Sequence, residues 1–190
     1  TDLGMAQSLD AGHSWAFRRD IGCNTYEMAF DPAVPGHVWA AFSLVHDIPN
    51  NNIILGGHSA EGSGCVGFSP DGGATWIDPA RGTPIDEAEF YRKDFGSGWA
   101  GRQGLPPAPV ISTVIDPRSP ASARRLFASV WGHGVFLSTD GGRTWQARSN
   151  GLGAPGVNMR STRAHLHADG ALFCLVTTVR RGNELIRDGV

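Results

Sequence analysis

Ser138-Thr139-Asp140-Gly141-Gly142-Arg143-Thr144-Trp145 decides how this chain is read, because the same octet occurs twice more, as Ser69-Pro70-Asp71-Gly72-Gly73-Ala74-Thr75-Trp76 and Ser8-Leu9-Asp10-Ala11-Gly12-His13-Ser14-Trp15. The shared form is Ser-x-Asp-x-Gly-x-Ser/Thr-Trp. Each position has a task in a tight hairpin. Asp accepts from backbone N–H groups ahead of it, Gly supplies a positive φ, and Ser or Thr closes the turn from the other side. Trp then returns a large apolar body to the core. The copies begin at residues 8, 69 and 138. Self-similarity at a period this long marks a repeat architecture with long loops in each unit.

A second signal repeats upstream of the octet. Tyr26-Glu27-Met28-Ala29-Phe30-Asp31-Pro32 and Ser112-Thr113-Val114-Ile115-Asp116-Pro117 both read as a strand stopped at Asp-Pro, since Pro has no N–H to give a ladder. Each is followed by an apolar strand, Val38 to Ser43 and Arg125 to Trp131. A third strand, such as 134–137, leads into the octet and a fourth leaves from its Trp. Strand, Asp-Pro turn, strand, loop, strand, octet, strand is a four-stranded antiparallel meander, the blade of a β-propeller. The predicted fold is therefore all-β, roughly three such blades across residues 1–190. A further blade begins near Arg163 with its octet outside the sequence, so the chain reads as a propeller fragment.

Composition agrees and excludes several functions. There are 26 Gly and 12 Pro, and the apolar runs are short, which disfavours long helices. Sixteen Lys and Arg against eighteen Asp and Glu leave a net charge of -2, with no basic surplus for nucleic acid. No run approaches the roughly 20 apolar residues that span a bilayer, and Thr1-Asp2-Leu3-Gly4 carries no signal-peptide pattern. Cys23, Cys65 and Cys174 lack metal-ligand spacing, so neither a metal nor another cofactor is expected.

The octets and their strand spacing resemble the Asp-box, or BNR, repeats of sialidases, xyloglucanase-type glycoside hydrolases and sortilin-like receptors. The resemblance covers nearly the whole chain as repeat architecture, and its long repeat is more similar to the xyloglucanase and sortilin branches. It implies that the octet turn joins strands three and four on the face opposite the ligand. Ser8, Asp10, Gly12, Trp15, Ser69, Asp71, Gly73, Trp76, Ser138, Asp140, Gly142 and Trp145 are then structural. Loops between strands two and three, and connections between blades, fall on the ligand face: 44–64, 78–109, 132–134, 149–162 and 180–189.

Within these segments Asp86, Glu87, Glu89 and Asp94 are the candidate catalytic acids, because glycoside hydrolysis needs two carboxyl groups across the scissile bond. Trp99, flanked by glycines, offers a face for a sugar ring, with Arg102 beside it. His133 sits in a very short hairpin, where it is a ligand contact or simply a turn residue. Arg160, Arg180 and Arg181 are candidate ligand contacts, since a guanidinium suits a carboxylate. The Arg-Ile-Pro signature of sialidases is absent, so sialidase activity is not carried over. His46, Asp47, His58 and Glu61 form a polar set with no standard metal spacing.

Two functions stand side by side. One is a carbohydrate-active, glycoside hydrolase-like or sialidase-like protein, secreted or periplasmic, binding an oligo- or polysaccharide; the fragment alone is expected to be inactive, as such a site collects residues from several blades. The other is a non-catalytic propeller that binds proteins or scaffolds an assembly, like sortilin-like receptors or photosystem-assembly factors.

Overall fold

The computed structural model describes residues 5–18, 24–45, 48, 64–85, 104–154, 159–177, 179–181 and 183–186. β1 (Met5–Gln7) and β2 (Ala16–Arg18) pair across the first octet. β3 (Asn24–Phe30), β4 (Val38–Ser43), β5 (Gly64–Ser69), β6 (Ile77–Asp78) and β7 (Thr83–Pro84) form one antiparallel sheet in that order. β8 (Val110–Asp116), β9 (Arg125–Val130), β10 (Gly134–Ser138) and β11 (Gln146–Ala147) form the next. β12 (Arg160–Leu166) and β13 (Leu172–Thr177) pair, and β14 (Val179–Arg181) and β15 (Glu184–Ile186) make a separate hairpin. The architecture is part of a β-propeller: two complete blades between two strand pairs. It departs from the four-strand expectation in β7, which adds a fifth strand to the first complete blade.

A blade buries neither of its faces alone. In β4, Trp39 and Ala41 join a core with Val110, Leu126, Ala128, Val130, Phe136 and Trp145 of the following blade. Val38, Ala40 and Phe42, on the other side of the same strand, pack with Met5 of β1. That is why all six residues of β4 are buried although successive side chains point to opposite faces.

Polar bonds repeat across these interfaces. The first strand of each unit carries a register shift at the same place, between Thr25 and Glu27, Val110 and Ser112, and Ser161 and Arg163. The residue after the shift serves the next blade: Glu27 Oε2 accepts from Thr113 N–H at 3.3 Å, and Ser112 Oγ accepts from Ala164 N–H at 3.1 Å. Trp39 Nε1 donates to Gly141 O at 3.0 Å, tying strand two of one blade to the octet of the next.

Asp31 is more than a strand stop. Arg124 donates to it through two nitrogens, Nε to Oδ2 at 2.7 Å and Nη2 to Oδ1 at 2.6 Å, and both side chains are buried. The Arg124 Nη1 group is taken up by the carbonyls of Pro117 and Ser119. Burial pushes the Asp31 carboxyl up, but the Arg124 bonds outweigh it and hold the group below its ordinary 3.8.

The octet turns are nearly superimposable in their bonding. Ser69 Oγ donates to Asp71 Oδ1 at 2.9 Å and accepts from Gly73 N–H at 2.7 Å. Asp71 also accepts from Thr75 N–H at 2.8 Å and Thr75 Oγ1 at 2.7 Å. Ser8, Asp10, Gly12 and Ser14 repeat these bonds, as do Ser138, Asp140, Gly142 and Thr144. Gly72 N–H and Gly141 N–H donate to Gly36 O and Arg124 O, so each of these turns leans on the loop between strands one and two of its own blade.

Two features of the first octet depart from the sequence reading. Trp76 and Trp145 are 5% and 4% exposed, whereas Trp15 is 65% exposed, because among the described residues no second strand lies beside the β1–β2 pair to cover the indole. The turn also needs two successive residues with positive φ, not one. Gly72 and Gly141 occupy the first of these places at 73° and 77°, and Ala11 occupies it at 57°.

Replacing Arg124 by Met should cost about 3 to 5 kcal/mol of stability by urea titration, because it strands a buried carboxylate. Asp31 has a lower pKa folded than unfolded, so the pair's contribution is complete above about pH 4 and is lost as pH falls through the folded value. The Arg124→Met penalty should accordingly shrink on acidification. Ala11→Gly should stabilise by about 0.5 to 1 kcal/mol in the same assay, by removing the Cβ from a left-handed position.

Candidate ligand face

The topology sorts the chain's functional groups by end. At one end lie the octet turns and the turns after β3 and β8, and their carboxylates are engaged. Hydrogen bonds from the Ser14 hydroxyl and N–H hold Asp10 at about 2. Those from Thr75 lower Asp71, and at Asp140 the bonds from Thr144 outweigh the opposing effect of burial. Asp116 is held down first by its Arg118 hydrogen bond and pairs also with Arg125. A carboxylate that already accepts several bonds has little capacity left for chemistry.

At the opposite end lie the starts of β3, β5, β8, β10 and β12 and the ends of β4, β9 and β13. Trp131, directly after β9, packs with Ile48 and Ile111 against Tyr26 and Val45. Ile111 and Tyr26 sit at the register shifts of β8 and β3, which turn their side chains toward this end. The Tyr26 hydroxyl donates to Val45 O at 2.9 Å and accepts from Ile48 N–H at 2.9 Å, anchoring the loop that leaves β4. None of these anchors carries a local sequence signal, apart from the aromatic residue itself.

Arg160, the first residue of β12, lies over the Trp131 ring with its guanidinium carbon 5.5 Å from the centroid. It is 8% exposed, and burial draws its pKa down. Trp131 is 4% exposed, so its face is given to Arg160 and not to solvent. Stacking on the indole holds the guanidinium in a fixed plane.

His133 occupies the hairpin between β9 and β10, with its N–H bonded to Val130 O at 3.0 Å. Burial lowers its pKa, which favours the neutral imidazole. Gly134 brings this hairpin against β12: at φ 85°, a Cβ there would lie 2.3 Å from Ser149 Oγ and 2.4 Å from Met159 Sδ. Ser149 Oγ completes the junction by accepting from Val135 N–H at 2.9 Å. His133 and Arg160 thus belong to one packed corner of the molecule.

The remaining candidates lie in β14 or outside the described residues. Arg180 and Arg181 lie in β14, paired in register with Leu185 and Glu184. Asp86, Glu87, Glu89, Asp94, Trp99 and Arg102 lie outside the described residues, as do His46, Asp47, His58 and Glu61. Among the described residues no group of three or more His, Cys, Asp or Glu side chains is placed to hold a metal ion. No described helix is long and apolar enough to cross a membrane. A separate groove of about 280 Å³ opens on the octet side, lined by His37, Trp39, Phe68, Asp140 and Arg143 among others.

No family model matches the chain, and no curated protein is significantly similar to it. Solved structures do resemble it. An ancestral GH74 enzyme superposes with a TM-score of 0.54 at 22% identity, over 93% of this chain and 19% of that one. The GH74 enzyme of Niastella koreensis gives 0.39 at 16% identity, over 93% of this chain and 30% of its own. The GH74 xyloglucanase from Xanthomonas campestris gives 0.41 at 15% identity, over 93% and 31%. The chain therefore spans between a fifth and a third of the length of these enzymes. The first likeness supports the propeller fold.

Proposed function

We propose that this chain is part of a carbohydrate-active β-propeller, with an oligo- or polysaccharide bound on the face opposite the octet turns. The observation that carries this reading is the division of polar groups between the two ends. Octet and Asp-Pro carboxylates are consumed in turns and ion pairs. The opposite end holds a fixed guanidinium on an indole beside a half-buried imidazole. Such a corner can orient hydroxyl or carboxylate oxygens of a sugar. The fold likeness to an ancestral GH74 enzyme points the same way.

In this reading Arg160 and His133 contact the sugar, with Trp99, Arg102, Arg180 and Arg181 as further contacts. Asp86, Glu87, Glu89 and Asp94 supply the acid and its partner where the whole protein is a hydrolase. Catalysis draws on residues from several blades and acts on polysaccharide outside the cytoplasm. A second reading, a protein-binding propeller, draws support from the burial of Trp131, which leaves that indole no free face for a sugar ring.

Affinity electrophoresis of the 190-residue chain through xyloglucan, with sialyllactose as a soluble competitor, separates the two readings. Retardation by xyloglucan, or binding of the carboxylate sugar, is the result expected for a carbohydrate face. Arg160→Ala or His133→Ala should then weaken binding about fivefold or more, the loss of one hydrogen bond. Ser14→Ala at the octet end should not. Absence of binding to either sugar would favour the protein-binding reading.

A further inference from the structure

We infer that the groove on the octet side is a binding site for a small aromatic carboxylic acid, separate from the ligand face. It lies between the two complete blades, and the residues that line it all belong to one or the other. Its volume of about 280 Å³ is near the lower end, roughly 300 Å³, of pockets that hold small molecules. No single motif marks it, because its lining comes from separated stretches of chain: the end of the first Asp-Pro turn, β5, the β6–β7 turn, the loop before β9 and the third octet.

Aromatic rings make the floor. Trp39 and Phe68, cross-strand partners on β4 and β5, lie with ring centroids 4.8 Å apart and planes tilted by 39°. His37 stands edge-on to Phe68, with centroids 5.0 Å apart and planes at 88°. The Trp39 indole is held in place by its bond to Gly141 O. Rings fixed in this way suit the face or edge of an aromatic ligand.

One side of the groove is the turn between β6 and β7, a fifth strand that the second complete blade lacks among the described residues. Asp78 shapes this turn: its carbonyl accepts from Gly82 N–H at 2.8 Å and its Oδ1 from Ala80 N–H at 2.9 Å. A Cβ on Gly82 would meet no atom within 4 Å, so there is open space beside the turn.

The polar groups that remain unsatisfied in the groove are donors. Asp140 accepts four hydrogen bonds from its own octet, from Ser138 Oγ, Arg143 N–H, Thr144 N–H and Thr144 Oγ1, which fills the roughly four lone-pair sites of a carboxylate. Arg124 spends its nitrogens on Asp31 and on the carbonyls of Pro117 and Ser119. Arg143 differs. Its backbone serves the octet, but its guanidinium has no hydrogen-bond or ion-pair partner among the described residues. The His37 imidazole likewise makes only ring contacts there. Unspent donors at the rim of an aromatic floor call for a ligand that joins a planar anion to a ring, since a guanidinium takes a carboxylate through paired bonds. A neutral sugar carries no such charge, so the groove and the ligand face take different molecules.

Titration of cinnamate into the isotope-labelled 190-residue chain, followed by NMR, tests this. Saturable shifts are expected at the Trp39 indole N–H and the Gly82 and Gly141 amides, with a Kd of about 1 mM or below, as the ligand efficiency of about a dozen non-hydrogen atoms allows. The Trp131 indole should stay in place. Cinnamamide, which keeps the ring and loses the charge, should bind about tenfold more weakly or worse, and acetate should give no shift at the same concentration. Arg143→Ala should cost about tenfold in affinity, the worth of a charge-assisted hydrogen bond. That variant should fold, since Ala74 holds the same place in the second octet. Ser122→Trp, at an exposed position on the rim, should abolish binding by filling the groove. Absence of saturable shifts at these groups up to about 10 mM cinnamate overturns the proposal. So does equal affinity for the acid and its amide, or an affinity that Arg143→Ala leaves unchanged.

Discussion

The buried Asp31–Arg124 pair is the interaction on which the geometry of the two complete blades turns. It joins the turn after β3 to the loop before β9, and it fixes two planar groups edge to edge through paired hydrogen bonds. Removing both charges from water is costly, so the pair adds less to net stability than its geometry suggests. What it adds is position. With these loops locked, Trp39 reaches Gly141 of the next octet, and Glu27 meets the Thr113 N–H of the next blade. The apolar core between the blades then closes around Trp39, Val110, Leu126 and Trp145.

That packing also explains why the ends of the molecule differ. A propeller needs short, well-bonded turns at one end to hold each strand order, and the octets supply them with side chains that bond their own backbone. The other end is freed from this duty. Its loops are long, and its anchors are Tyr26, Ile111 and the Arg160–Trp131 stack, set by register shifts in the first strands. The propeller so separates the groups that hold the fold from those that could meet a ligand.

Much of this could be read from the sequence, because octets and Asp-Pro strand ends are local signals. Their physics is contained within a few residues: a carboxylate bonds N–H groups two to four positions ahead, and Pro cannot pair. Other features escape a local reading. Arg124 lies 93 residues from Asp31, so nothing near either residue marks the pair. Nothing beside Trp131 in the sequence marks its burial, because the residue that covers its ring, Arg160, comes from the next unit. Trp15 matches the other octet tryptophans in sequence, yet burial depends on the neighbouring strand and not on the octet. Ala11 adopts the conformation that glycine takes elsewhere, showing that the turn is imposed by its other bonds. The acidic segment containing Asp86 and Asp94 lies outside the described residues, so the proposed acids rest on sequence chemistry alone.

The central claim is that a ligand meets the face opposite the octets. Backbone amide mapping by NMR, with a xyloglucan oligosaccharide titrated into the isotope-labelled chain, tests it most directly. The account predicts shifts concentrated at residues 43–45, 130–134 and 159–161, with the octet amides unmoved. Shifts centred on His37, Phe68, Gly141 and Arg143, in the groove on the octet side, would contradict it.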